Sequence, residues 1–112
     1  MKQIRAYIHR DRLADVVAAI KDCAAWGGAR GARRHNLAAY VVQGLPNASG
    51  GDDPHFSLEI GDEVISEFKL ELICEDGEIQ EFVDAIKSAA RTGQPVGGWI
   101  TVLDLVLATP IA

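Results

Sequence analysis

Three observations in the sequence predict an α+β fold of order β-α-β-β-α-β. A strand pattern followed by a helix pattern occurs twice, the two copies lie 66 residues apart, and each is completed by a further β-rich run. Alternating apolar positions mark a strand, and apolar positions three and four apart mark a helix, so the order of patterns is an order of elements. Two helices on one face of a four-stranded sheet follow from that order.

In the first copy Ile4, Ala6 and Ile8 alternate with Arg5, Tyr7 and His9. Leu13, Val16, Val17, Ile20 and Ala24 then recur at helical spacing, and Gly27-Gly28 stops the helix. AAYVVQGL, residues 38–45, is the second strand. In the second copy Leu70, Leu72 and Cys74 take the places of Ile4, Ala6 and Ile8, and Ile79, Phe82, Val83, Ile86 and Ala90 those of the helix positions. Even Lys21 is matched by Lys87, and WITVLDLVLA, residues 99–108, supplies the last strand. The acidic run CEDGEI before the second helix complements the positive end of the helix dipole.

At 112 residues the chain reads as one domain, 1–112, large enough to bury a core without staples. A net charge of −5 argues against a general nucleic-acid binder. No apolar run approaches the length of a membrane span, and MKQIRAYIHRDR has no apolar core for a signal peptide, which suggests a cytoplasmic address. Cys23 and Cys74 fall on packed faces and are expected as buried thiols. The sheet face away from the helices, with Arg5, Tyr7, Lys69, Glu71 and Ile73, is left bare, and partner subunits are the expected cover.

Two segments stand outside the repeat. PNASGGDDPHFSLEIGDE, residues 46–63, joins strands two and three where a short hairpin would serve, so a loop that orders on a ligand or partner is expected. AARTGQPVGGWI, residues 89–100, places three glycines, a proline and a threonine between helix and strand. Backbone N–H groups in such a loop can hold phosphate, although the usual phosphate loop runs from strand into helix.

The start MKQIRAYI, the run FVDAIKSAARTG with its glycine-rich continuation, and the closing strand resemble the PII signalling superfamily over nearly the whole chain. The resemblance implies a ferredoxin-like sandwich with a long T-loop, here residues 46–63, assembled as a homotrimer. It implies adenine nucleotides in the clefts between subunits, a phosphate-cradling B-loop after the second helix, and a protein target met through the T-loop. Carried over residue by residue, the nucleotide site comprises Gly44, Leu45, Leu72, Ile73, Arg91, Thr92, Gly93, Gly97, Gly98 and Trp99. Trp99 suits either packing or stacking on a base.

Departures from the family pattern shift the expected ligand. Where typical members continue glycine-aspartate-glycine-lysine, this chain has Val96-Gly97-Gly98-Trp99; no arginine stands near Pro110 or Ala112, and residues 46–63 lack a tyrosine. With Arg33, Arg34 and Arg91 as the cations left nearby, ADP or AMP is expected over ATP. The layout is similar to PII-like proteins associated with carboxysomes, which implies a response to bicarbonate. That anion would be held by Gln43, Gly44, Leu45 and Arg34, with an arginine offsetting the repulsion from phosphate. A role in carbon or bicarbonate metabolism would follow.

Other chemistry is weakly signalled. His9, His35 and His55 with Asp52 and Asp53 have no tight ligand spacing, so no metal site is expected. Ser49, Ser57, Ser66 and Ser88 have no matching base, so neither catalysis nor a cofactor is expected. The alternative is a CutA-like trimer that binds divalent metal, which shares the fold.

Overall fold

The computed structural model describes residues 1–45 and 55–112. The chain forms β1 (Lys2–Ile8), α1 (Leu13–Asp22), α2 (Gly31–His35), β2 (Ala38–Gly44), β3 (His55–Ser57), β4 (Asp62–Cys74), α3 (Ile79–Ala89) and β5 (Gly98–Asp104). Every strand pairing is antiparallel; the sheet runs β2-β4-β1-β5, with β3 paired to the start of β4. This α+β arrangement of five strands and three helices is compatible with the ferredoxin-like plan.

The expected periodicities appear as buried stripes. Ile4, Ala6, Ile8, Leu70, Leu72 and Cys74 point from the sheet toward Val16, Ile20, Phe82 and Ile86 on the two long helices. Each large apolar side chain buried there contributes roughly 1.5–3 kcal/mol. A 3-10 turn at Asp76–Glu78 leads into α3 and opens on a capping box, in which the Glu78 carboxylate accepts from the Glu75 N–H at 2.9 Å.

Three regions differ from expectation. Helix α1 ends at Asp22, two residues early, because Cys23 is extended and the chain turns through a 3-10 turn at Ala24–Trp26. A second 3-10 turn and α2 follow, so residues 23–36 form a folded connection rather than a glycine stop. Trp26 and His35 are both buried and stacked, with centroids 5.4 Å apart, and the Phe82 edge meets the His35 ring at 5.0 Å. The His35 ring nitrogens bridge two backbone carbonyls, Nδ1 to Ile73 O at 2.7 Å and Nε2 to Ala25 O at 2.9 Å. Gly31 is required here, since a Cβ at that position would lie 2.1 Å from the Trp26 indole.

The second difference lies in the expected T-loop. Residues 46–54 are outside the described residues, whereas 55–63 belong to a hairpin of β3 and the start of β4. Its turn is closed by Gly61 N donating to Ser57 O at 2.7 Å and Ile60 N donating to Ser57 Oγ at 3.3 Å. Strand β4 accordingly begins at Asp62, well before the predicted apolar run, and β3 continues the sheet edge where β2 leaves it opposite Ile65. Third, the last strand stops at Asp104; Leu105 N still donates to Met1 O at 3.1 Å, and the residues beyond form no regular element.

On the open sheet face one register row crosses four strands: Tyr40 opposite Lys69, Lys69 opposite Tyr7, and Tyr7 opposite Trp99. The Lys69 ammonium lies 5.5 Å from both tyrosine ring centroids, and the Tyr40 hydroxyl beside it holds the ammonium above the ordinary lysine value. Tyr40 also donates to Glu71 at 2.6 Å. Arg5, Tyr7, Lys69, Glu71 and Ile73 therefore occupy the predicted face, joined by Tyr40 and by Trp99, which is 65% exposed. Among the described residues, no helix is long and apolar enough to cross a membrane.

Candidate functional site

The site is the connection from α3 to β5. Helix α3 ends at Ala89, Gly93 reverses the chain at φ 85°, and β5 begins at Gly98 beside Ile8. The intervening loop encloses an open concavity of about 540 Å³ lined by Lys87, Arg91, Thr92 and the backbone through Trp99. Gln94 N donates to Thr92 Oγ1 at 3.3 Å, which folds the loop over the threonine. Among the described residues, the backbone N–H groups of Thr92, Gly93 and Gly97 make no hydrogen bond. A concave loop with unused N–H donors and two flanking cations suits a small anion.

The glycines of this loop do different work. A Cβ on Gly98 would lie 2.1 Å from the Tyr7 carbonyl oxygen, so that glycine lets β5 lie against β1. A Cβ on Gly97 would press on Thr92 Oγ1 at 2.9 Å, whereas Gly93 faces open space. Of the three, Gly93 is fitted by its left-handed turn and the other two by close packing.

The remaining expected residues are dispersed in the single chain. Gly44 and Leu45 leave β2 at one sheet edge, whereas the 91–98 loop joins β5 at the other. Leu72 is fully buried in the core, so its side chain is unavailable to a base. Ile73 lies on the open face opposite Gln3, roughly 17 Å along β1 from the loop, and its carbonyl receives His35.

The expected anion group of Gln43, Gly44, Leu45 and Arg34 is not assembled within one chain. Arg34 precedes β2 and Gly44 ends it, so the seven-residue strand places them roughly 20 Å apart. Arg34 instead donates to Glu78 at 2.7 Å. Arg33 sits with Arg30 and Arg34 along a separate concavity of about 750 Å³ on α2. The cations at the loop are Arg91 and Lys87, of which the sequence reading had only Arg91.

Two of the histidines considered as ligands, His9 and His35, have structural partners. His9 caps the 3-10 turn at Arg10–Arg12, its Nδ1 accepting from Asp11 N at 3.2 Å. His35 is buried and His55 lies in β3; Asp52, Asp53 and Ser49 fall outside the described residues. Among the described residues, no group of three or more His, Cys, Asp or Glu side chains could hold a metal ion. Burial, then the nearby Glu78, Glu75 and Asp76 carboxylates, push the Cys74 thiol up to about 11; Cys23 is half-buried and raised by burial and by Glu81. Both are free thiols.

Sequence reading also missed Arg12. From the β1–α1 turn it reaches the end of α3, donating through Nε and Nη2 to Ala89 O at 3.0 and 2.8 Å. No local spacing links residue 12 to residue 89, so only the packed fold reveals the contact. No protein-family model matches the chain, and no curated protein matches it in sequence.

Proposed function

We propose that this chain is a PII-like sensor of adenine nucleotides, with ADP or AMP preferred to ATP. The observation that carries the reading is the 91–98 loop, a concave turn with unused backbone N–H donors beside Arg91 and Lys87. Three N–H groups and two cations match the charge of one or two phosphates better than that of three. In this reading Trp99, exposed at the rim, offers a stacking surface for base or ribose.

The dispersion of the other residues is consistent with a site shared between copies. Loop 91–98 and Gly44–Leu45 lie at opposite sheet edges, so a nucleotide touching both needs two subunits. A homotrimer supplies such clefts, and the exposed Trp99, Val102, Leu103, Val106, Leu107 and Ile111 supply apolar surface for it. Bicarbonate at Gln43, Gly44 and Leu45 would then draw its arginine from a neighbouring copy. The 46–63 segment would report occupancy to a protein target, in a carbon or bicarbonate response, through differential affinity for its two postures.

The test is isothermal titration with ADP, AMP and ATP, with and without bicarbonate, alongside a native mass measurement. Tighter binding of ADP or AMP than of ATP by a trimer supports the reading. No binding at millimolar nucleotide sinks it, and a thermal shift with divalent metal alone would favour the CutA-like alternative.

A further inference from the structure

We infer that Arg12 is the positioning residue of the 91–98 loop: its guanidinium holds the loop's root in place and thereby sets the loop's affinity for phosphate. The inference rests on the nucleotide reading for its ligand, but its geometry stands independently. Arg12 sits in the 3-10 turn after β1, and its own N–H donates to His9 O at 2.9 Å, the bond that closes that turn. Two of its side-chain donors converge on one acceptor, the carbonyl of Ala89, while Nη1 meets Asp15 at 3.1 Å.

Ala89 is the last residue of α3 and stands two positions before Arg91. Its carbonyl is one of those a helix end leaves without an intrahelical partner. A cation there also complements the negative end of the dipole. A paired, planar donor fixes the direction of that carbonyl as well as its distance, which a lysine cannot do. The chain therefore leaves α3 along one path, and Thr92 follows with its N–H unused.

Arg12 is also part of the wall. His9, Asp11, Arg12, Thr92 and Gln94 line a concavity of about 310 Å³ that shares Thr92 and Gln94 with the larger one. Asp15 occupies one arm of the guanidinium, and Asp11 lines the same wall, so Arg12 acts by holding the loop rather than as a bare anion receptor. A loop ordered before the ligand arrives pays less entropy on binding it.

The experiment compares wild-type chain, Arg12→Gln, Arg12→Lys and, as a charge control, Arg30→Gln. Amide hydrogen exchange is read on the free proteins and ADP affinity by titration. Arg12→Gln is expected to speed exchange in residues 90–98, to leave β1 and β4 protected, and to weaken ADP roughly tenfold. Arg12→Lys recovers part of both effects, and Arg30→Gln changes neither. Uniformly faster exchange across the sheet, or unchanged ADP affinity with a loosened loop, would overturn the inference, since a purely structural cap predicts those results. If wild-type protein binds no nucleotide, the nucleotide reading falls. Exchange in 90–98 then decides the clamp alone, and an unchanged rate in Arg12→Gln removes it.

Discussion

The step from helix into the following strand is built twice in this fold, and the two versions are opposites. After α1, residues 23–37 turn inward and contribute Trp26 and His35 to the core. After α3, none of residues 90–97 is fully buried, and the N–H groups of Thr92, Gly93 and Gly97 go unused. One connection makes its own core, with a histidine bridging two carbonyls and an indole lying against a bare glycine. The other is held at its root by a residue from elsewhere. The lesson is about where binding capacity can reside. In the first connection Trp26 and His35 are committed to packing and to the Ile73 and Ala25 carbonyls, whereas the second keeps backbone N–H groups that a ligand could use.

The contrast breaks most visibly at Trp26. Trp26→Ala is expected to cost about 3–5 kcal/mol, since it empties the space between Gly31, His35 and the core. Gly31→Ala alone should cost about 2 kcal/mol by forcing a methyl group into the indole. The decisive measurement is the double variant in chemical denaturation. If the two residues are locked as described, Gly31→Ala becomes nearly free once Trp26 is alanine. Additive costs would mean that Gly31 is needed for some other reason. The proposed nucleotide affinity, by contrast, should survive in whatever fraction remains folded.

How much of this was legible beforehand follows from how each feature is encoded. The two long helices and the inner faces of β1 and β4 were readable because their patterns are local. Ile4, Ala6 and Ile8, or Phe82 and Ile86, announce their faces within one element. The α1–β2 connection was not readable, because what folds it is the long-range bond of His35 to Ile73 and the fit of Gly31 to Trp26. There the glycines resembled a plain stop. The β3 hairpin was hidden by a composition of Asp, Glu and Gly that reads as loop. At the candidate site the loop itself was visible from Arg91 through Gly98. Of its cations only Arg91 was: Arg34 pairs with Glu78 elsewhere, and Lys87 carries no local signal that sets it apart from an ordinary helix residue.

Within the open connection the comparison sharpens between two glycines. Gly98→Ala drives a Cβ into the Tyr7 carbonyl and should cost about 3 kcal/mol, with β1–β5 pairing disturbed. Gly93→Ala meets open space and bears only the strain of a left-handed turn, about 1 kcal/mol. Urea denaturation of both variants separates scaffold from turn. Equal costs would show that the loop's glycines are interchangeable, and the division of labour between packing and turning would have to be abandoned.

The last expected effect appears only on the alkaline side, with nothing to show at neutral pH beyond lost packing, and returns to the neighbourhood of His35. Cys74 lines a narrow cleft with His35, Glu75 and Glu78, and its thiol titrates at about 11 in place of about 9. The folded state thus prefers the neutral thiol. The stability this represents is intact below pH 9 and is lost as the pH rises through 11, because only the unfolded chain ionises freely in between. Cys74→Ala should lower Tm at pH 7 by removing packed volume, yet lose fewer further degrees between pH 9 and 11 than wild type does. Cys23→Ala, at a more exposed thiol, should alter that alkaline slope less. Thermal melts of the three proteins across that range check the point. Parallel slopes in wild type and Cys74→Ala would mean that other groups carry the alkaline loss and that the acidic cleft beside His35 does not hold the thiol neutral.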